Sequence, residues 1–252
     1  EGTRLIDFAS NNLHVLGYSV PVDEWMSLDE LKEHIYTLKD QPDLIPYTTS
    51  YYKERWGFAM SQNRLDEIER GDASKRNAGA DAKSDSQAYG GGEVPKYHAV
   101  IKSTLEDGSL TYGEILIPGE SDKEIFFTSY TCHPSMANNE CSGPALLVLI
   151  ANYSRSMKKR RYSYRLILAP ETIGAITYIS SHLDELKEKV ICGFNLTCVG
   201  DDRTYSIVHS RYGDTLADRV LMSVLKGHYP KYMDYSYIKR GSDERQYQAP
   251  GV

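Results

Sequence analysis

"EIFFTSYTCHPSMANNECSGPALLVLI", residues 124–150, decides the fold. The opening "EIFFTSY" is apolar at nearly every position, which suits a strand covered on both faces rather than one that alternates between core and water. After a polar loop, "SGPALLVLIANYSRSMKK" from Ser142 has the length and apolar content of a buried helix. The pattern repeats: "YRLILAP" from Tyr164 reads as a second buried strand and "GAITYISSHLDELKEK" from Gly174 as a second helix. "VICGFNLTCVG" from Val190 reads as a third strand. Buried strands alternating with helices predict an α/β layered sheet from residue 119 to residue 252.

Upstream the texture differs. "RLIDFA" and "NLHVLGYSVPV" alternate and are broken by Gly17 and Pro21, as strands do, and "SLDELKEHIYTL" from Ser27 carries an N-cap, Glu30 three places on and helical spacing of Leu28, Leu31, Ile35 and Leu38. The aromatic stretch "YTTSYYKERWGF" reads as a surface loop, either a partner-docking element or a cover for a cleft. Residues 71–92, "GDASKRNAGADAKSDSQAYGGG", hold almost no large apolar side chain and read as a mobile loop. Asp107-Gly108 reads as a hairpin turn. Residues 1–118 are thus expected to form a β-rich piece distinct from the α/β piece that follows.

Composition narrows the function. At 252 residues and a formal charge of −6, no basic surface neutralises a run of phosphates, so nucleic acid is not the expected partner. The longest apolar run, "PALLVLIANY" from Pro144, is far short of the roughly 20 residues of a membrane span. Four cysteines, Cys132, Cys141, Cys192 and Cys198, show no CxxC pair and read as reduced thiols of a cytoplasmic protein. Both ends look cut, as in an internal piece of a longer chain. A small-molecule or peptide substrate is expected, and a homo-oligomer is left open.

In open α/β sheets, ligands gather at the carboxyl ends of the strands. Loops at such ends here carry His133 and Glu140 in "TCHPSMANNECSG", Glu171 in "PETIG", and Asp201 with Asp202 in "GDDRTY". "RGSDER" adds Asp243, Glu244 and Arg245. Each has a plain alternative: His133 as a hydrogen-bonded structural residue, Glu171 as a first-turn helix carboxylate, Asp201-Asp202 as an ordinary turn. Convergence on one sheet edge favours a site.

The set "CHPSMANNE-SGP", "PETIG", "CVGDDR" and "RGSDERQY-APG" resembles the bacterial aminopeptidase-like family often linked to polysaccharide biosynthesis, as do "IDF-NNLHVLGYSVPV" and "LIPYTTSYYKERWGF". The resemblance implies an α/β fold of the zinc-aminopeptidase (phosphorylase/hydrolase-like) type, a layered α/β/α sheet with an inserted β-rich domain. It also implies zinc chemistry. His133 matches the family's first histidine, while Asn139 stands where a bridging aspartate is expected and Thr172 where a second glutamate is. An amide offers one good neutral oxygen and cannot bridge two metals as a carboxylate does. The family's later aspartate maps near Thr197, with Asp201 or Asp202 as substitute, and its last histidine falls beyond Val252. On this reading zinc is held by His133, Asn139 and Asp201. Glu171 is the general base in amide hydrolysis, and Asn138, Asp243, Glu244 and Arg245 meet the substrate. The competing reading is a catalytically silent saccharide- or peptide-binding protein that keeps the peptidase fold.

Overall fold

A computed structural model describes residues 13–50, 53–81, 96–132, 137–239 and 241–250. The chain divides into two compact units, residues 1–107 and 108–252.

In the first unit, β1 (Leu13–Val15), β2 (Val22–Ser27), α1 (Leu28–Lys32), β3 (Ile35–Tyr36), β4 (Phe58–Met60), α2 (Gln62–Asp81) and β5 (Lys96–Ile101) follow in order. β4 lies between β1 and β3 in one small sheet, and β2 pairs antiparallel with β5 in another. The period of two along the β2–β5 ribbon sends Val22, Met26, Ala99 and Ile101 into a core with Phe58, and leaves Trp25 stacked on His98 outside. α1 opens with the expected capping box: the Ser27 hydroxyl accepts from the Glu30 amide, and the Glu30 carboxylate accepts from the Ser27 amide at 2.8 Å.

Three expectations for this half change. The helix from Ser27 stops near residue 33 instead of 38, because Ile35 and Tyr36 pair with Phe58 and Ala59 in β4; sheet pairing outweighs the helical spacing. Trp56 and Phe58 of the aromatic stretch pack in the core of this unit, whereas Tyr51 and Tyr52 lie outside the described residues. Residues 71–81 continue α2, since alanine, lysine and arginine favour a helix; residues 82–95 lie outside the described residues.

The second unit is built on a four-stranded sheet. Its elements are β6 (Gly113–Ile117), β7 (Glu124–Tyr130), α3 (Ala137–Glu140), α4 (Ser142–Ser156), β8 (Ser163–Ala169), α5 (Ile173–Lys189) and β9 (Val190–Asn195). Strand order is β6-β8-β7-β9, with β7 parallel to both β8 and β9 and β6 antiparallel at the edge. β6, assigned by sequence to the front piece, therefore hydrogen-bonds into the α/β sheet, and Asp107-Gly108 joins strands of different sheets instead of closing a hairpin. Beyond β9 come β10 (Ser206–Val208), α6 (Leu216–His228), β11 (Met233–Tyr235) and a short α7 (Glu244–Tyr247), with β10 parallel to β11.

The unbroken apolar strands follow from two-sided cover. Leu166 packs with Leu147 and Ala151 of α4, and its neighbour Ile167 packs with Tyr178 and Leu186 of α5, so the helices lie on opposite faces. Each fully buried leucine or isoleucine there contributes about 1.5–3 kcal/mol. A buried ion pair sits inside: the Arg165 guanidinium, whose side chain is 3% exposed, forks onto Glu124 at 2.6 and 3.0 Å. It also reaches Glu114 at 2.5 Å, Glu185 at 2.8 Å and the Tyr178 hydroxyl at 3.0 Å. Its five donors match this ring of acceptors, which is what permits its burial. Among the described residues no helix is long and apolar enough to cross a membrane.

Candidate functional site

The carboxyl ends of β7, β8 and β9 lie side by side, and the residues that follow each strand form one cluster. Tyr130 closes β7; its hydroxyl donates to Asn139 Oδ1 at 2.5 Å and shares a short hydrogen bond with Thr197, just past β9. Burial pushes the Tyr130 phenol up to about 12, helped by the carboxylates of Glu171 and Glu140, so it stays protonated near neutrality and donates a hydrogen bond. α4 can start this close to the loop after β9 only because position 143 is glycine: a Cβ there would stand 2.2 Å from Ser129 Oγ and 2.3 Å from the Leu196 carbonyl.

Glu171 leaves β8 half-buried and its Oε1 accepts from the Ser242 hydroxyl at 2.7 Å. The next residue, Thr172, has φ 62° and ψ −67° at the head of α5, and Ile173 N donates to Glu171 O at 2.7 Å. That is a γ-turn of the rare, positive-φ kind, costly for a β-branched residue. The Thr172 amide donates to Asp243 Oδ1 at 2.8 Å.

Asp243 is 0% exposed, and its Oδ2 has no hydrogen-bond partner among the described residues. Burial pushes its carboxyl up to about 6; the Thr172 amide pulls the other way, and the nearby charges of Glu171 and Glu244 add to the rise. Asp243 was expected at the rim, meeting substrate, but it lies inside. Glu244 accepts from the Ser242 amide at 2.9 Å and from Asn195 at 3.0 Å. Arg245 is tied to the Tyr237 and Ile238 carbonyls at 3.3 and 3.4 Å.

The remaining expected residues fall in a second knot. Asn138 accepts from the Gly200 amide at 2.7 Å and donates to Asp201 at 3.1 Å. Asp201 is held down to about 2 by its hydrogen bonds with Arg203, whose guanidinium is 2.9 Å from its Oδ2. Asn139 and Glu171 line one groove of about 1040 Å³, together with Tyr130, Ser242 and Glu244, and the groove runs on along the outer edge of β9 to α6. His133 lies outside the described residues. Sequence reasoning missed Ser242 and Tyr130, and met Thr197 only as the place near which the family's later aspartate maps. Ser242 sits inside a loop already singled out, whereas Tyr130 reads as plain strand.

Of the three expected zinc ligands, the two that are described do not fit a metal. Asn139 Oδ1 already accepts from Tyr130, and both Asp201 oxygens are bound by Arg203. Among the described residues there is no group of three or more histidine, cysteine, aspartate or glutamate side chains placed to hold a metal ion.

A mostly parallel α/β sheet thus gathers a carboxylate, an amide and a buried phenol at its strand ends, the edge at which open α/β sheets bind ligands. The chain belongs to the family described as "Domain of unknown function (DUF4910)", whose profile matches residues 4–252. It is 44% identical, over its whole length, to a Clostridium acetobutylicum protein named "Putative polysaccharide biosynthesis protein with aminopeptidase-like domain". It covers 52% of that protein, so the chain spans about half the length of the curated relative it matches. The crystal structure of a "putative peptidase" from Clostridium acetobutylicum aligns with all of this chain and 53% of its own, at 43% identity and a TM-score of 0.81. The motif-based resemblance to aminopeptidase-like proteins linked to polysaccharide biosynthesis is thus met in a relative.

Proposed function

We propose that this chain is part of an aminopeptidase-like hydrolase that cleaves an amide bond, in an N-terminal peptide or in an N-acylated saccharide precursor, with Glu171 as general base. The saccharide arm takes its support from the name of the Clostridium relative. One observation carries the reading: Glu171 stands at the carboxyl end of a central strand, in the wall of the groove, with one oxygen held by Ser242. In that place it takes a proton from a water, the hydroxide adds to the amide carbonyl, and Glu171 returns the proton to the leaving amine. The first unit is read as the β-rich domain that such enzymes carry inserted. A cytoplasmic location remains the reading of the cysteine pattern.

Zinc is proposed only with His133 as its anchor. When bound it would supply a water acidified toward neutrality. The described part of the expected ligand set does not fit it, so no step is routed through the ion. Tyr130's hold on Asn139 favours a second reading, a binding protein for a saccharide or peptide without catalysis.

The test combines metal analysis with a screen of aminoacyl-anilides and N-acetylated sugars, on this chain and on the full-length protein. Zinc that disappears in His133→Ala, with turnover that disappears in Glu171→Gln, supports the hydrolase. Saccharide or peptide binding without turnover, unchanged in Glu171→Gln, supports the binder. Full turnover in Glu171→Gln removes Glu171 from the reaction.

A further inference from the structure

We infer that Ser242 and Asp243 form a two-point latch that fixes the Glu171 carboxylate, and that both are positioning residues rather than substrate contacts. The inference rests on the reading of Glu171 as general base and adds to it a reason for the "GSDE" segment. The two contacts come from consecutive residues and act on consecutive residues. Ser242 donates to the Glu171 side chain at 2.7 Å, and Asp243 accepts from the amide of the following residue, Thr172, at 2.8 Å.

The second contact matters because of what it restrains. Thr172 sits at φ 62°, where a β-branched residue is strained by roughly 1–3 kcal/mol. Left alone, the turn relaxes and carries the Glu171 backbone with it. The Thr172 side chain makes no capping hydrogen bond at the head of α5; its own amide is taken by the Asp243 carboxylate, the role that the third-position carboxylate plays in a capping box, here supplied from 71 residues away in sequence. Asp243 is fully buried at 0% exposure, so it is shut off from substrate, and a carboxylate in that position needs a reason to be there. Holding a strained peptide beside the reacting group is such a reason. Glu244 completes the segment: it accepts from the Ser242 amide at 2.9 Å and from Asn195 of β9 at 3.0 Å, so the latch is anchored to the sheet.

The experiment uses the full-length protein and two readouts. Hydrogen–deuterium exchange of peptides covering residues 170–176 reads the turn, and kcat with KM, on whichever substrate the screen yields, reads the carboxylate. Asp243→Ala is expected to speed exchange at the head of α5 and to lower kcat about 100-fold with KM little changed, the size of loss that an ångström of misplacement brings. Asp243→Asn, which keeps an oxygen for the Thr172 amide, is expected to restore both. Ser242→Ala leaves exchange at the wild-type rate and lowers kcat alone; it also keeps the test alive if Asp243→Ala fails to fold. Unchanged exchange in Asp243→Ala, or Asp243→Asn behaving like Asp243→Ala, overturns the latch. A wild-type protein without turnover sinks the hydrolase reading, while the exchange arm still decides the latch.

Discussion

The buried carboxylate of Asp243 makes a quantitative claim about stability. Its folded-state value of about 6 stands above the ordinary 3.8, and burial is the main cause. A carboxyl raised on folding binds its proton more tightly in the native state. Its favourable contribution is therefore complete below about pH 3.8 and is lost as the pH climbs through about 6. The gap of roughly two units corresponds to about 3 kcal/mol at 1.36 kcal/mol per unit. Asp243→Asn mimics the protonated form: it keeps the acceptor for the Thr172 amide and never acquires the charge. The variant should already be more stable than the wild type by about 1 kcal/mol at pH 4.5, a gap that grows to about 3 kcal/mol at pH 7.5. Both tryptophans, Trp25 and Trp56, lie in the first unit, so their fluorescence does not report on this one. Urea titrations followed by hydrogen exchange in β8 and α5, at half-unit steps from pH 4 to 8, measure it directly. Asp201 and Asp218, held at about 2, titrate below this window and are common to both proteins. A difference between variant and wild type that stays flat across the window refutes the reasoning.

Three further outcomes follow from the packing. Arg165→Met strands the buried Glu124 carboxylate and should cost about 3–5 kcal/mol in the unfolding midpoint of the second unit. Arg165→Lys should recover only part of that loss, since an ammonium lacks the fork. Gly143→Ala drives a methyl against Ser129 and the Leu196 carbonyl and should destabilise by about 1–3 kcal/mol in the same titration. Thr215→Ala removes the α6 cap, in which the Thr215 hydroxyl is bound to Asp218 at 2.6 Å; it should cost about 1 kcal/mol, read as faster exchange in the first turn of α6.

The sheet was legible because burial writes itself into composition. "EIFFTSY" and "YRLILA" are largely apolar since both faces are covered, and the covering helices α4 and α5 carry no competing signal. What failed was local reading where the decision is made elsewhere. Ile35 has helical spacing but pairs with Phe58 in β4, and β6 follows a turn dipeptide but pairs with β8, whose first residue is 46 positions after the end of β6. Residues 71–81 failed for another reason: lack of apolar side chains argues against a packed core, not against a helix.

The site shows the same limit with more at stake. Residue types and strand ends singled out Glu171 and the "GSDE" loop, the family resemblance added Asn139, and the structure brings all of them to one groove or its wall. Their roles depended on partners that no local pattern names. An asparagine at position 139 leaves a neutral oxygen, and Tyr130, nine residues earlier, supplies a phenol that stays protonated to near pH 12 and fills it. Asp201 could stand in for a ligand by type, yet Arg203 two residues on makes it an ion pair. Asp243 could meet a substrate by type, yet it is buried beneath a strained turn. In each case the nearest hydrogen-bonding partner, and not the titratable group itself, determines the chemistry. Tyr130→Phe is then the informative change for the metal question: it removes the phenol from the Asn139 oxygen, leaving only the weak Cys198 thiol donor at 3.7 Å, without altering any ligand. Zinc affinity that rises in Tyr130→Phe and falls in the double variant with His133→Ala would place Asn139 beside His133 in a latent metal site. Affinity indifferent to Tyr130 would assign Asn139 to substrate or to structure alone.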